Sequence, residues 1–336
     1  MRIKGFRDLF KPSLLGMPGA KGATFDPTVP PKVLRKRYEK LGRPSARTLS
    51  PDVTTSPIHA GNVTAEWVQT ATSRTHRVVL YLHGGGYILG SPATHRQLVS
   101  RICLASGARG LLLDYRLAPE HPFPAAVQDT LEAFRWLLGT GIHPQGIAFA
   151  GDSSGAGLAL GAVMALRDEK LPLPSAVVLI SPWVDLSLSG WSLLLNAKTD
   201  PILSLEMLAL CARHYLNGEN PTNPLASPLY GDFRGLPPML IHVGNQEILK
   251  DDAKRLAHRA DQAGVDVSIE VWDQALHAFH FYQDIPESQG AIDRIGSFIR
   301  ARTAADPVPL SAARNLLKRD APRVEPEPTS SPSGES

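Results

Sequence analysis

The sequence predicts an α/β fold, in which a mostly parallel sheet of eight strands is covered by helices on both faces. Short apolar runs rich in β-branched residues recur along the chain, and helix-like stretches lie between most of them. This alternation is typical of a parallel sheet. The central runs are continuously apolar, as expected of strands buried on both faces. The predicted strands are Val53–Ile58, Val63–Gln69, Val78–His83, Gly110–Asp114, Gly146–Ala150, Ala176–Ser181, Met239–Val243 and Val267–Trp272.

Two long segments interrupt this rhythm and predict a cap. Residues 1–47 contain a helix-like stretch, Pro31–Gly42, and residues 185–236 are rich in proline and hydrophobic residues. Connections this long are usually lids or binding loops. We therefore expect both segments to cover the mouth of a core formed by residues 48–184 and 237–303. Residues 304–336 form a tail whose Pro-, Ser- and Glu-rich end is predicted to be disordered. The predicted core helices are Ala93–Ser106, Ala125–Leu138, Gly155–Lys170, Lys250–Gly264 and Ser288–Thr303.

Composition narrows the class of protein. The 336 residues are 43% apolar, which is enough for one large core. A net charge of +3 makes no electrostatic case for nucleic acid. The two cysteines form neither a disulfide framework nor a metal set, so reduced thiols are expected. We find no signal peptide and no apolar run approaching the roughly 20 residues of a membrane span, so a cytoplasmic location without stable membrane insertion is expected. The sequence does not decide whether the protein forms a homodimer.

A glycine-rich turn predicts a nucleophilic serine. Gly151, Ser153 and Gly155 form a G-x-S-x-G pattern between a predicted strand and a predicted helix. The pattern resembles the nucleophile elbow of α/β-hydrolases, where small neighbours allow a sharp turn that exposes the serine hydroxyl. The alternatives are an idle serine on a tight turn and a nucleotide-binding loop, but no lysine follows the glycines as in a P-loop. For Ser154 we expect only the backbone N–H to matter.

A second glycine-rich loop predicts an oxyanion hole. The sequence HGGGY from His83 to Tyr87 follows a predicted strand. Consecutive glycines let backbone N–H groups approach a substrate oxygen. We assign the hole to the N–H groups of Gly85, Gly86 and Ser154. The alternative is a flexible loop without a catalytic role. His83 itself is interpreted as a structural residue that holds the loop.

These motifs and a third one resemble the hormone-sensitive-lipase-like esterases. The third is DYRLAPEHPFPAA, from Asp114 to Ala126, and the resemblance runs from about Val78 to about Phe298. It implies an α/β-hydrolase core with a helical cap, hydrolysis of carboxylic esters, and no cofactor or metal. The segments after Ser181 and around Val243–Asp252 look closest to acetyl-hydrolases and monoterpene lactone hydrolases. In the third motif, Arg116 and Glu120 are expected to pair and fix a loop.

The acid and the base are sought after the last two strands, because in this fold the acid and then the histidine follow the serine along the chain. Glu247, Asp251 and Asp252 follow Met239–Val243. We favour Glu247, although the family usually has Asp there, and expect Asp251 and Asp252 to serve the start of the next helix. After Val267–Trp272, His277 matches the family's His-x-Phe pattern and is the expected base. His280 is the rival, and His242 is interpreted as an ordinary buried histidine.

The resulting hypothesis is a serine carboxylesterase that acts on a small-molecule ester. Short or medium acyl esters, acetyl esters and lactones remain open as substrates. A pocket formed with Tyr87, Trp183 and Trp191 is expected to limit acyl length. The alternatives are a ligand-binding protein on a hydrolase fold and an interfacial lipase, for which the Leu193–Leu195 run would be suitable.

Overall fold

The computed structural model describes residues 29–46 and 49–303 and contains one eight-stranded sheet. The spatial order is β1-β2-β4-β3-β5-β6-β7-β8. β1 and β2 pair antiparallel, as do β2 and β4, whereas all later neighbours are parallel. The predicted fold class is thus confirmed. The strands are β1 Val53–Ala60, β2 Val63–Thr70, β3 Arg74–Leu82, β4 Ala108–Leu113, β5 Ile147–Asp152, β6 Ala176–Ile180, β7 Met239–Gly244 and β8 Val267–Trp272.

Helices cover both faces of this sheet, since its central strands are buried along their whole length. One face packs against α3, α4 and α7 through residues such as Phe134, Leu158 and Leu256. The other face packs against α2 and α8 through Leu98 and Ile295. The helices are α1 Pro31–Ala46, α2 Pro92–Ser106, α3 Ala125–Gly139, α4 Ser154–Asp168, α5 Ser192–Leu195, α6 Leu205–Leu216, α7 Lys250–Gln262 and α8 Pro286–Arg302.

The segment 185–236, here called the insert, lies between β6 and β7 and contains α5 and α6. Helix α6 has no counterpart among the predicted helices. Leu193, Leu208 and Tyr215 of the insert belong to the same apolar cluster as α3 and α4. The insert therefore shares the core of the sheet. The predicted tail, residues 304–336, and most of the predicted N-terminal part of the cap lie outside the described residues.

The parallel strands place the predicted site residues at one edge of the sheet. β5, β6, β7 and β8 are consecutive neighbours and run in the same direction, so their carboxyl ends meet. This is the edge where open α/β sheets bind ligands. In the described part of the chain, no helix has the length and apolar character needed to cross a membrane.

Candidate active site

Ser153 lies on the tight turn between β5 and α4. Its φ of 53° and ψ of −121° are unusual for a residue with a side chain. Such strain persists where the surroundings hold it, and it is often found at functional sites. A Cβ atom at Gly155 would overlap the carbonyl oxygens of Leu82 and His83, and one at Gly151 would overlap the carbonyl of Gly155. The elbow can therefore pack this closely only with glycine on both sides of the serine.

Glu247 and His277 meet at the same edge of the sheet. Glu247 lies three residues beyond the end of β7, and His277 lies five residues beyond the end of β8. His277 Nδ1–H donates to Glu247 Oε2 over 2.8 Å, and both side chains are buried. This hydrogen bond fixes the tautomer in which Nε2 carries the free lone pair. A histidine in that state can accept a proton from a serine.

Ser181, at the end of β6, holds the acid in place. Its hydroxyl donates to Glu247 Oε1 over 2.6 Å and accepts from the N–H of Ala278 over 3.0 Å. The Gly244 N–H also donates to Oε1, over 2.5 Å. One carboxylate oxygen is thus fixed by two donors while the other faces His277. The role of Ser181 was missed in the sequence, because it depends on three strand ends being neighbours.

The environment raises the pKa of His277. Burial alone would lower it, but the hydrogen bond and the charge of Glu247 outweigh burial. The charges of Asp200 and Asp152 act in the same direction. The imidazolium form is therefore stabilised, as a general base requires in the transition state.

His280, the rival base, is used elsewhere. Its Nε2 shares a 3.0 Å hydrogen bond with Nδ1 of His242, and both rings are buried. Burial, together with the neighbouring His242 and Arg101, lowers the pKa of His280 well below the usual value. The interpretation of His242 as an ordinary buried histidine agrees with this pairing.

Asp251 and Asp252, the rival acids, bind the insert. Asp251 accepts from the N–H of Ser192 over 2.8 Å. Asp252 accepts from the N–H groups of Val184 and Asp185, over 3.1 and 3.0 Å. Burial and the nearby Asp185 carboxylate raise the pKa of Asp252 to about 7. Both residues lie in the first turn of α7, as expected, but Asp251 binds the insert, and Asp252 binds the first residue of the insert and Arg255 of its own helix.

The loop 84–87, here called the oxyanion loop, is docked on the elbow. Gly85, Gly86 and Tyr87 have φ values of 125°, 64° and 63°. The Gly84 N–H donates to Asp152 Oδ1 over 3.1 Å, next to the nucleophile candidate. Within the described ranges, neither the Gly85 nor the Gly86 N–H donates to an acceptor. The loop is thus held at its first residue, with two N–H groups of the expected oxyanion hole beside it.

The Ser154 hydroxyl has a role that we did not expect. It accepts a hydrogen bond from the Tyr87 N–H over 3.3 Å and so joins the elbow to the end of the oxyanion loop. The sequence did not indicate this contact, and the assignment of the Ser154 backbone N–H to the oxyanion hole stays a prediction. His83, by contrast, behaves as interpreted: its Nδ1–H donates to the Gly84 carbonyl over 2.9 Å, and its ring stacks on Tyr115. Burial and the neighbouring His95 lower the pKa of His83 to about 3.

The expected pair between Arg116 and Glu120 is not formed. Arg116 binds Asp129 over 2.7 Å, while Glu120 binds Arg35 of α1 over 2.6 Å. Arg35 also donates to the carbonyl of Ile88, over 2.7 Å. The two charges therefore stabilise different contacts, and one of them ties helix α1 to the chain just after the oxyanion loop.

The three aromatic residues expected around the pocket are separated into two environments. Tyr87 and Trp183 are buried, with ring centroids 6.0 Å apart, and Tyr87 also stacks on Tyr215 of α6 at 3.7 Å. Trp191 is 73% exposed and does not share this buried group, so the expectation that both tryptophans line one pocket needs correction. Leu194 is also exposed, because α5 presents one side to solvent.

The chain is similar to known proteins over most of its length. A family described as the alpha/beta hydrolase fold matches residues 79–281. The chain is 47% identical to an acetyl-hydrolase of Streptomyces hygroscopicus, covering 73% of this chain and 82% of that protein. It is 37% identical to an esterase of Acinetobacter venetianus, covering 80% and 88%. A crystal structure of an esterase from the bacterial hormone-sensitive lipase family is 46% identical, with a TM-score of 0.80, covering 83% and 94%.

Proposed function

Because the chain belongs to the α/β-hydrolase fold family and, within it, to the hormone-sensitive-lipase-like esterases, we propose that it hydrolyses carboxylic esters through an acyl-enzyme on Ser153. The observation that carries the proposal is the buried hydrogen bond from His277 to Glu247, at the sheet edge where Ser153 stands on a strained turn. A ligand-binding protein has no need of a buried, oriented acid–base pair. We therefore favour a carboxylesterase over a binding protein.

The proposed reaction uses each residue in turn. His277 Nε2 takes the proton of the Ser153 hydroxyl, whose oxygen attacks the ester carbonyl. The N–H groups of Gly85, Gly86 and Ser154 stabilise the oxyanion, helped by the N-terminus of α4. His277 then protonates the leaving alcohol as the acyl-enzyme forms. Water, activated by the same imidazole, adds to the acyl group, and the acid product and free Ser153 are released.

We propose acetyl and other short or medium acyl esters as the substrates, with lactones as a further class to be tested. Support comes from the acetyl-hydrolase relative. The test is hydrolysis of p-nitrophenyl esters of increasing acyl length, with a lactone and an acetylated amine alongside. A maximum of kcat/KM at short chains is expected. Steadily rising kcat/KM up to long chains would contradict it.

Interfacial lipolysis is the second candidate, favoured by the exposed side chains of Trp191, Leu194 and Leu195. Exposed apolar groups of this kind can bind an ester–water interface. If the protein is a lipase, its rate should rise abruptly when a sparingly soluble ester exceeds its solubility. For a carboxylesterase of the proposed kind, we expect the rate to saturate below that point.

Trp183 is expected to affect acyl-chain preference. Because its buried ring lies beside Tyr87 of the oxyanion loop, Trp183→Phe should create space there and raise kcat/KM for longer chains relative to acetate. One methylene in an apolar pocket is worth about 1–3 kcal/mol, so the shift should be graded. Trp191→Phe is the matched control, and its exposed ring should leave the profile unchanged. A proportional loss on every substrate, with a lower Tm, would mean that Trp183 only stabilises the core.

The pH dependence should report the raised pKa of His277. Only the neutral imidazole can take the proton from Ser153, so kcat/KM should fall as the pH decreases through this pKa. Since the pKa is raised, the midpoint of the acid limb is expected above the usual value of 6.5. The measurement is kcat/KM for p-nitrophenyl acetate across this range. A midpoint well below 6.5 would show that Glu247 does not stabilise the imidazolium.

A further inference from the structure

The start of the insert is hydrogen-bonded to the loop that carries the proposed acid. This loop, residues 245–248, is here called the acid loop. Asn196 Nδ2 donates to the Glu247 carbonyl over 2.7 Å and to the Asn245 carbonyl over 3.1 Å. The Ser192 hydroxyl donates to the Ile248 carbonyl over 2.6 Å. The backbone on both sides of the acid is therefore bound by side chains from a segment some fifty residues earlier in the chain.

Asp200 completes this set of contacts with a buried carboxylate. Its side chain is 1% exposed. Oδ1 accepts from the N–H groups of Ile202 and Leu203, over 2.8 and 2.9 Å, and Oδ2 accepts from the N–H of Ile248 over 2.9 Å. Ile248 directly follows Glu247. One oxygen of this carboxylate thus stabilises a turn within the insert, and the other oxygen holds the acid loop.

A neutral amide could not replace this carboxylate without a loss. All three groups that hydrogen-bond to the Asp200 carboxylate are backbone donors, and an asparagine would have to turn its NH₂ toward one of them. A buried charge is costly unless it is compensated. Burial raises the pKa of Asp200 above its ordinary value, and the three backbone hydrogen bonds act against this rise. In its ionised form, Asp200 stabilises the protonated form of His277. The hydrogen bond from the Ile248 N–H and the charge of Asp200 therefore both act on the Glu247–His277 pair.

We propose that Asp200 is a positioning residue of the esterase reaction, which holds the acid loop so that Glu247 meets His277. The inference rests on the proposed function of these two residues. Asp200 itself touches neither the substrate nor the reacting atoms. It couples the insert to catalysis, since a displaced insert would release the acid loop.

The test compares Asp200→Asn with Asp185→Asn. Asp185 is a suitable control, because it is also 1% exposed and accepts from backbone N–H groups of the insert, at Ser187 and Ser189. Among the described residues, its partners lie outside the acid loop. We expect Asp200→Asn to lower kcat by about 10- to 100-fold, as small misplacements of catalytic groups do. Asp185→Asn should lower Tm comparably but leave kcat near the wild-type value.

The pH profile separates the two effects of Asp200. Loss of its charge should move the acid limb of kcat/KM to lower pH, because the imidazolium is less stabilised. Glu247, Asp152 and His280 also interact with His277 and stay unchanged in this variant. Asn196→Ala removes the hydrogen bond from the insert to the Glu247 carbonyl without removing a charge. This variant should lower kcat and leave the midpoint of the acid limb unchanged. It tests the positioning of the acid loop even if Asp200→Asn does not fold.

The proposal is overturned if Asp200→Asn keeps the wild-type kcat and midpoint, or if Asp185→Asn reproduces its losses. A wild-type kcat in Asn196→Ala would also contradict the proposal that contacts from the insert position the acid loop. The proposed function is tested separately by the wild-type protein, which must hydrolyse p-nitrophenyl acetate. An inactive wild type would contradict the proposed esterase function. An active wild type, together with Asp200 and Asn196 variants that keep its kcat, would contradict only this inference.

Discussion

Replacing Ser153 by alanine is expected to lower kcat for p-nitrophenyl acetate by about four or more orders of magnitude, because the members of a triad act as a unit. The fold should be kept, since Ser153 is held by its backbone: its N–H donates to the Ile180 carbonyl and its carbonyl accepts from the Trp183 N–H. An unchanged Tm would therefore accompany the loss. The measurement is steady-state kinetics beside thermal unfolding.

Ser154→Ala is the matched control for this prediction. The Ser154 hydroxyl accepts from the Tyr87 N–H and supports the oxyanion loop, while the backbone N–H assigned to the oxyanion hole is retained in alanine. A loss much smaller than that of Ser153→Ala is expected. If Ser154→Ala were the more damaging change, or if Ser153→Ala kept near-wild-type activity, the nucleophile would be wrongly assigned.

The second large effect is expected for Glu247→Gln. Ser181 and Gly244 both donate to Oε1, so the amide oxygen of glutamine should occupy that position. The NH₂ group would then face His277 Nδ1 in place of the carboxylate oxygen. This donor selects the tautomer with the proton on Nε2, which cannot accept the proton of Ser153. A loss of about four orders of magnitude in kcat is expected, as for the equivalent change in a serine protease.

Asp251→Asn serves as the control for the acid. Asp251 accepts from the Ser192 N–H and so binds the insert, and its loss should cost mainly stability. Both variants are compared in kcat at temperatures below their Tm. A larger loss of kcat in Asp251→Asn than in Glu247→Gln, at equal Tm, would show that the acid was wrongly chosen.

Most of the fold could be predicted because its signals are local. The strands of the parallel sheet are short apolar runs. The predicted strand Met239–Val243 ends one residue before the observed one, and the predicted strand Val267–Trp272 has the observed bounds. The elbow and the oxyanion loop carry glycines whose spacing follows from steric need. Helix α6 was not located, since the helical cap was expected only from the family resemblance and no helix bounds were predicted within the insert.

The support of the site could not be predicted from local patterns. Ser181 reaches Glu247 only because β6 and β7 are neighbours, and Asp200 reaches the acid loop from 48 positions earlier in the chain. Arg116 and Glu120 are close in sequence but bind Asp129 and Arg35, the latter 85 positions away. Contacts of this kind are set by the tertiary fold, and nothing in the spacing of a single sequence indicates them.

The measurement that tests the central claim most directly is labelling of the intact protein with a fluorophosphonate, followed by peptide mass spectrometry. This reagent phosphonylates an activated serine hydroxyl with loss of fluoride, and it depends on the same base and oxyanion donors as ester hydrolysis. We expect a single adduct, on Ser153, formed in step with the loss of esterase activity and absent from Ser153→Ala. An adduct on Ser154, or esterase activity that survives complete labelling of Ser153, would contradict the account.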